Sequence, residues 1–75
     1  QPLRINSIGD QVVAYQLTWP EGDKQYVSNE VVVREGGVVV HVSHIVLNES
    51  PVVTASEELA RRALDKASAS LQPAQ

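Results

Sequence analysis

The sequence predicts an α+β domain, a curved four-stranded antiparallel meander followed by one C-terminal helix. Three observations carry that expectation. Valine dominates the stretch from Val27 to Val46, and branched side chains at that density favour a pleated sheet over a helix. Turn signals at Gly9-Asp10, Pro20-Glu21-Gly22-Asp23 and Glu35-Gly36 divide residues 1–50 into four short segments. After Pro51 the apolar period changes to that of a helix.

Each element follows from its own pattern. Leu3-Arg4-Ile5-Asn6-Ser7-Ile8 alternates apolar and polar, the period of a half-buried strand. In Gln11 to Trp19, Val13, Tyr15, Leu17 and Trp19 fall on one face, and Val12, Ala14, Gln16 and Thr18 on the other. The first set is expected to face the core. Lys24 to Arg34 is the third strand and Gly37 to Asn48 the fourth, which completes a meander. Val31-Val32-Val33 and Val38-Val39-Val40 are apolar on both faces, so this hairpin is expected to be covered on both sides. Beyond Pro51, Thr54 and Glu57 have the spacing of a capping box, with Glu57-Glu58 near the positive helix start. Leu59, Ala63, Ala67 and Leu71 recur at helical spacing, with Ala60 and Leu64 alongside. Ser68 to Gln75 loses the pattern and reads as a frayed tail. Residues 1–50 are thus the meander and 51–75 the helix and tail, one domain in all.

Composition narrows the function classes. A chain of 75 residues buries a limited share of its surface, and small domains usually need disulfides, metals or association to supplement the core. The chain has no cysteine, which removes disulfides, thiolate metal sites and cysteine nucleophiles. Two histidines and scattered carboxylates are a poor basis for a metal site, so no metal is expected. Association remains, and a homodimer is the expected state. Six basic residues are scattered at a net charge of -3, without the basic face that nucleic acid requires. There is neither a membrane-length apolar run nor a signal-peptide pattern, so no membrane partner and a cytoplasmic location are expected. The chain begins Gln1-Pro2 and holds no methionine, which leads to the expectation that it is a fragment of a longer protein.

The order of signals is also informative. Gly9-Asp10-Gln11-Val12-Val13 is followed by a strand ending Leu17-Thr18-Trp19, then Pro20-Glu21-Gly22, then Asn29-Glu30-Val31-Val32-Val33-Arg34-Glu35-Gly36-Gly37-Val38-Val39-Val40-His41. This resembles the C-terminal half of the cystatin-like α+β cone shared by SnoaL-like polyketide cyclases, ketosteroid isomerases and nuclear-transport-factor-like proteins. The match spans residues 9 to 47. Family members also carry N-terminal helices and an early strand that close the cone, and these have no counterpart in this sequence. In the ketosteroid isomerases an acidic residue on the corresponding strand donates a hydrogen bond to the substrate oxygen. The resemblance puts Glu30 there. The general base and the catalytic tyrosine of that group fall in the part without a counterpart.

Glu30 is accordingly the first candidate for a catalytic group. A carboxyl group inside an apolar cone would have a raised pKa and could donate at neutral pH. The plainer alternative is a strand glutamate facing solvent. His44, among apolar neighbours, is the second candidate, since imidazole titrates in the range of acid–base work. Its alternative is a histidine hydrogen-bonded inside a core or interface. Tyr15, Trp19, Tyr26 and Asn29 are candidate ligand-binding residues, the aromatics being equally suited to a core. His41 reads as a solvent-side or cross-strand partner.

Hairpin register decides the facing of these groups. A two-residue Glu35-Gly36 loop pairs Val33 with Val38 and sets Glu30 opposite His41. Glu30 then shares a mixed face with Ser28, Arg34 and Ser43, and the valine face carries Asn29 and His44. A three-residue loop shifts the pairing by one and moves Glu30 to the face of Val42 and His44. The expected function is a SnoaL-like small-molecule domain, an isomerase or cyclase moving a proton on a hydrophobic carbonyl compound, with no cofactor. The competing expectation is a non-catalytic dimerisation or ligand-binding module that uses the sheet as its interface.

Overall fold

The computed structural model describes residues 1–70. Three strands, β1 (Gln11–Glu21), β2 (Lys24–Glu35) and β3 (Val38–Leu47), form an antiparallel sheet in the order β1-β2-β3, and helix α1 (Val53–Ser70) follows. The α+β class and the C-terminal helix are as expected. Leu3–Ile8, expected as the first of four strands, is not one. Pro2 makes a single bridge with Tyr15, the Leu3 amide bonds to the Ala14 carbonyl at 3.0 Å, and the Gln16 amide to the Gln1 carbonyl at 2.7 Å. The segment then leaves the β1 edge, and Ile5 and Ile8 pack into the core. Alternation described their burial correctly but not their partner, since Ile8 meets side chains rather than a strand.

Both hairpins close with two-residue turns. Glu21 pairs with Lys24 around Gly22-Asp23, and Glu35 with Val38 around Gly36-Gly37. Gly36 has φ 58°, the left-handed value required at the first position of a type II′ turn, where a side chain would be strained. The turn is therefore one residue later than Glu35-Gly36. Val33 pairs with Val40 and Glu30 with Ser43, so Glu30 is not directly opposite His41. The displacement is two residues in pairing, which preserves every facing expected for the two-residue loop.

The core lies between the sheet and α1. Ile8, Val31, Val33, Ala60 and Leu64 are buried there, with Val12, Ala14, Val38, Val40 and Val42 packed around them. Val31 and Val33 are wholly inaccessible, and each contributes about 1.5–3 kcal/mol of burial. The helix side of β1 is therefore Val12 and Ala14, whereas Val13, Leu17 and Trp19 are exposed on the other side. The expectation that the larger set faces the core was wrong. β1 carries apolar residues on both faces, and its pairing with β2 decides between them, placing Val12 beside Val33 and Ala14 beside Val31. Double coverage of the valine hairpin is not observed among the described residues, since α1 covers one face.

The helix also differs in detail. It begins at Val53, so Thr54 lies inside it, and Glu57 accepts from the Asn6 amide at 3.1 Å instead of reaching back to form a capping box. Its buried stripe is Ser56, Glu57, Ala60 and Leu64, while Leu59 is exposed. Ser68–Ser70 continue the helix; Leu71 and the rest of the expected tail lie outside the described residues.

Candidate functional site

Two polar clusters sit on opposite faces of the sheet. On the open face, Ser28 and Glu30 are two apart on central β2, and His41 and Ser43 two apart on β3. The alternation of strand side chains brings all four together. Ser43 donates to Glu30 Oε1 at 2.7 Å, His41 Nε2 meets the same oxygen at 2.9 Å, and Ser28 donates to Oε2. The Glu30 side chain is 10% exposed and that of His41 51%. Burial is the largest single influence on the Glu30 carboxyl and pushes its pKa up. Hydrogen bonds from Ser28, Ser43 and His41, with the positive charge His41 can carry, together outweigh it and hold the carboxyl below its ordinary value of 4.5. Glu30 is thus an ionised acceptor at neutral pH. The expected raised pKa and donor role are corrected, because three donors surround the group in place of an apolar cone.

Apolar side chains ring this cluster. Val39 is 63% exposed, Val13 55%, Ile45 53% and Leu17 46%, with Leu47 beside them. Trp19 stacks on its cross-strand partner Tyr26, ring centroids 5.7 Å apart at 22°. Tyr15 pairs directly with Glu30. The candidates Tyr15, Trp19, Tyr26 and Glu30 therefore share one surface. No enclosed pocket exists among the described residues, so this surface is an open sheet face.

Asn29 and His44 lie together on the helix side. Asn29 is fully buried and uses its whole amide: Gln16 donates to Oδ1 at 2.9 Å, and Nδ2 donates to the Pro51 carbonyl at 3.0 Å and to Ser56 Oγ at 3.1 Å. The Ser56 hydroxyl has one hydrogen and two neighbours able to take it, His44 Nδ1 at 2.8 Å and the Val52 carbonyl at 3.2 Å. A serine beside a histidine can serve as a nucleophile and base. Here Ser56 is wholly inaccessible and accepts from Asn29, so the group ties α1 to β1, β2 and β3. The structure thus separates Glu30 from His44 and from Asn29. Sequence reasoning missed Ser56; its signal was the i+4 spacing to Ala60 on the buried stripe.

No family model, no curated protein and no solved structure matches the chain. No helix of the described residues is long and apolar enough to cross a membrane, and no group of three or more metal-ligating side chains occurs among them.

Proposed function

We propose that the chain is a non-catalytic binding module whose open sheet face receives an amphipathic helix of a partner protein. The observation that supports this reading is a buried, ionised carboxylate at the centre of an exposed apolar surface. Exposed apolar surface of this extent marks interaction sites. Three strands at about 4.8 Å spacing make a strip about 14 Å wide, room for one helix about 10–12 Å across with its side chains. The other face already holds such a helix, α1. Glu30 favours a partner whose apolar stripe carries a central lysine or arginine, because a docked helix would strip water from a negative charge that the Ser28 and Ser43 hydroxyls bond but do not neutralise.

The test uses Trp19, which lies on this face, as reporter. An 18-residue leucine-rich amphipathic peptide with one lysine in its apolar stripe should blue-shift Trp19 emission. The same peptide with glutamate there should bind at least tenfold more weakly, and Leu17→Lys should abolish the response. Equal binding of the two peptides, or none, rejects the reading.

A second reading keeps the kinship with the cone fold and places a hydrophobic carbonyl compound on this face. It is favoured by the Glu30–His41 pair, in which the carboxylate accepts Nε2–H from an imidazole that is half exposed on this face. Trp19 quenching by a bicyclic enone, lost in His41→Ala, would support that reading over the first.

A further inference from the structure

The two edges of the sheet are treated differently. In a two-residue hairpin the closing pair exchanges both of its hydrogen bonds, and outward and inward amides alternate from there. On β1 the even-numbered amides therefore point outward. The bonds linking Ala14 and Gln16 to Leu3 and Gln1 fit that assignment, so the N-terminal segment occupies the middle of this edge. Pro20 has no amide to leave unpaired there. On β3 the outward amides are those of Val39, His41, Ser43, Ile45 and Leu47. No described residue pairs with them. Among the described strands, β3 alone has no charged residue or proline, the usual guards of an edge.

We propose that β3 pairs antiparallel with β3 of a second copy, about a two-fold axis at Val42, giving a continuous six-stranded sheet. Pairing across such an axis must match residues of the same face and bring outward amides together. The register centred on Val42 does both. It sets Val42 against Val42, Val38 against Val46, Val39 against Ile45 and His41 against Ser43. Apolar residues thus meet apolar ones and polar meet polar, with no like charges opposed. Four odd-numbered positions on each copy give about eight inter-chain hydrogen bonds, in the range of a standard interface.

The helix supplies a second contact at the same place. Glu57 bonds Asn6 and Arg61 lies 3.5 Å from the Ser7 carbonyl, so that flank of α1 faces the N-terminal segment. The opposite flank carries Leu59 and Ala63 and overhangs β3. Ser56 touches His44. Counting about 1.5 Å per residue along the helix and about 3.3 Å along the strand from that contact, Leu59 and Ala63 straddle the level of Val42. The axis would bring the two flanks together and cover Leu59, which is 40% exposed in one copy.

Sedimentation of the whole chain should show a dimer, and amides of Val39, His41, Ser43 and Ile45 should gain protection as concentration rises. Val42→Cys, in a chain with no other cysteine, should oxidise to a covalent dimer at least tenfold faster than Thr18→Cys on β1, the opposite edge of the sheet. Leu17→Lys, on the open face far from β3, should leave the dimer intact. A monomer at millimolar concentration, outward β3 amides that exchange at every concentration, or a dimer that Leu17→Lys abolishes while Val42→Cys fails to crosslink would overturn the proposal. Loss of peptide binding with the dimer intact would overturn only the helix-docking reading.

Discussion

Replacing Asn29 with alanine removes a side chain that joins β1, β2 and the start of α1. Three hydrogen bonds disappear, to Gln16, to the Pro51 carbonyl and to Ser56. At about 1 kcal/mol each they contribute about 3 kcal/mol. Gln16 is half-buried and can turn to water, and Ser56 keeps His44 and Val52. The buried Pro51 carbonyl loses its partner, which adds to the cost rather than reducing it. A chain of this length has a total stability of about 4–11 kcal/mol, so the change consumes a large part of it. The expected fall in Tm is about 12–24 °C. Thermal and urea unfolding followed by circular dichroism measure it, with Gln16→Ala, expected to cost about 1 kcal/mol, as the single-bond comparison. A fall of less than about 4 °C would refute the inference that the cluster anchors the helix. Asn29→Asp sharpens the test: it opposes oxygen to oxygen at Pro51, and its cost should shrink on acidification, when the carboxyl gains a proton to donate.

Glu30 has a depressed pKa, so its stabilising contribution is present above the ordinary carboxyl value of 4.5 and is lost as pH falls through the lower folded value. Glu30→Gln should therefore narrow the Tm difference between pH 7 and pH 3; an unchanged difference would show that other carboxyls dominate. Among the glycines, Gly9→Ala should be the most costly, about 2 kcal/mol or more. Its φ is +63°, and the new Cβ would lie 2.8 Å from the Arg34 carbonyl oxygen. Gly36→Ala, with open space but φ +58°, should cost about 1–2 kcal/mol, and Gly37→Ala should be neutral or stabilising by up to about 1 kcal/mol, all by urea unfolding. Thr54→Ala should change stability by less than about 0.5 kcal/mol, since Thr54 is exposed and Glu57 bonds elsewhere; a loss near 1 kcal/mol would reinstate the capping box.

Strand content was legible because branched residues and turn glycines act locally. That Asn29 and Glu30 take opposite faces was legible too, since neighbours on a strand alternate; the choice between the two registers, and with it the face of Glu30, was settled only by the Glu35–Val38 pairing. Three things were not. The Gly36-Gly37 turn competes with Glu35-Gly36, and only the positive φ of Gly36 at the first turn position separates them. In β1 the bulkier side chains suggested the core face, but the space beneath α1 is filled by Val31 and Val33, which leaves room for Val12 and Ala14. The ionisation of Glu30 depends on Ser28, Ser43 and His41 converging from two strands, a tertiary arrangement that residue spacing within one strand does not encode.

Helix α1 lies over β2 and β3 and makes no close backbone approach to β1. The contiguous segment from Lys24 to Ser70 is thus a hairpin with a helix folded back on it, its helix-to-strand bonds 12 to 27 residues apart; closing loops of that length costs only about 0.6 kcal/mol more per doubling. β1 then has a finished template to zip onto, held by the Gly22-Asp23 turn, Gln16 and the inward-turned Ile8. Local opening should run in reverse. The outermost strand would unzip first, its inward amides exchanging ahead of those shared by β2 and β3. The first partly open form in warm solution would bare the Val31 and Val33 flank while the helix stays docked.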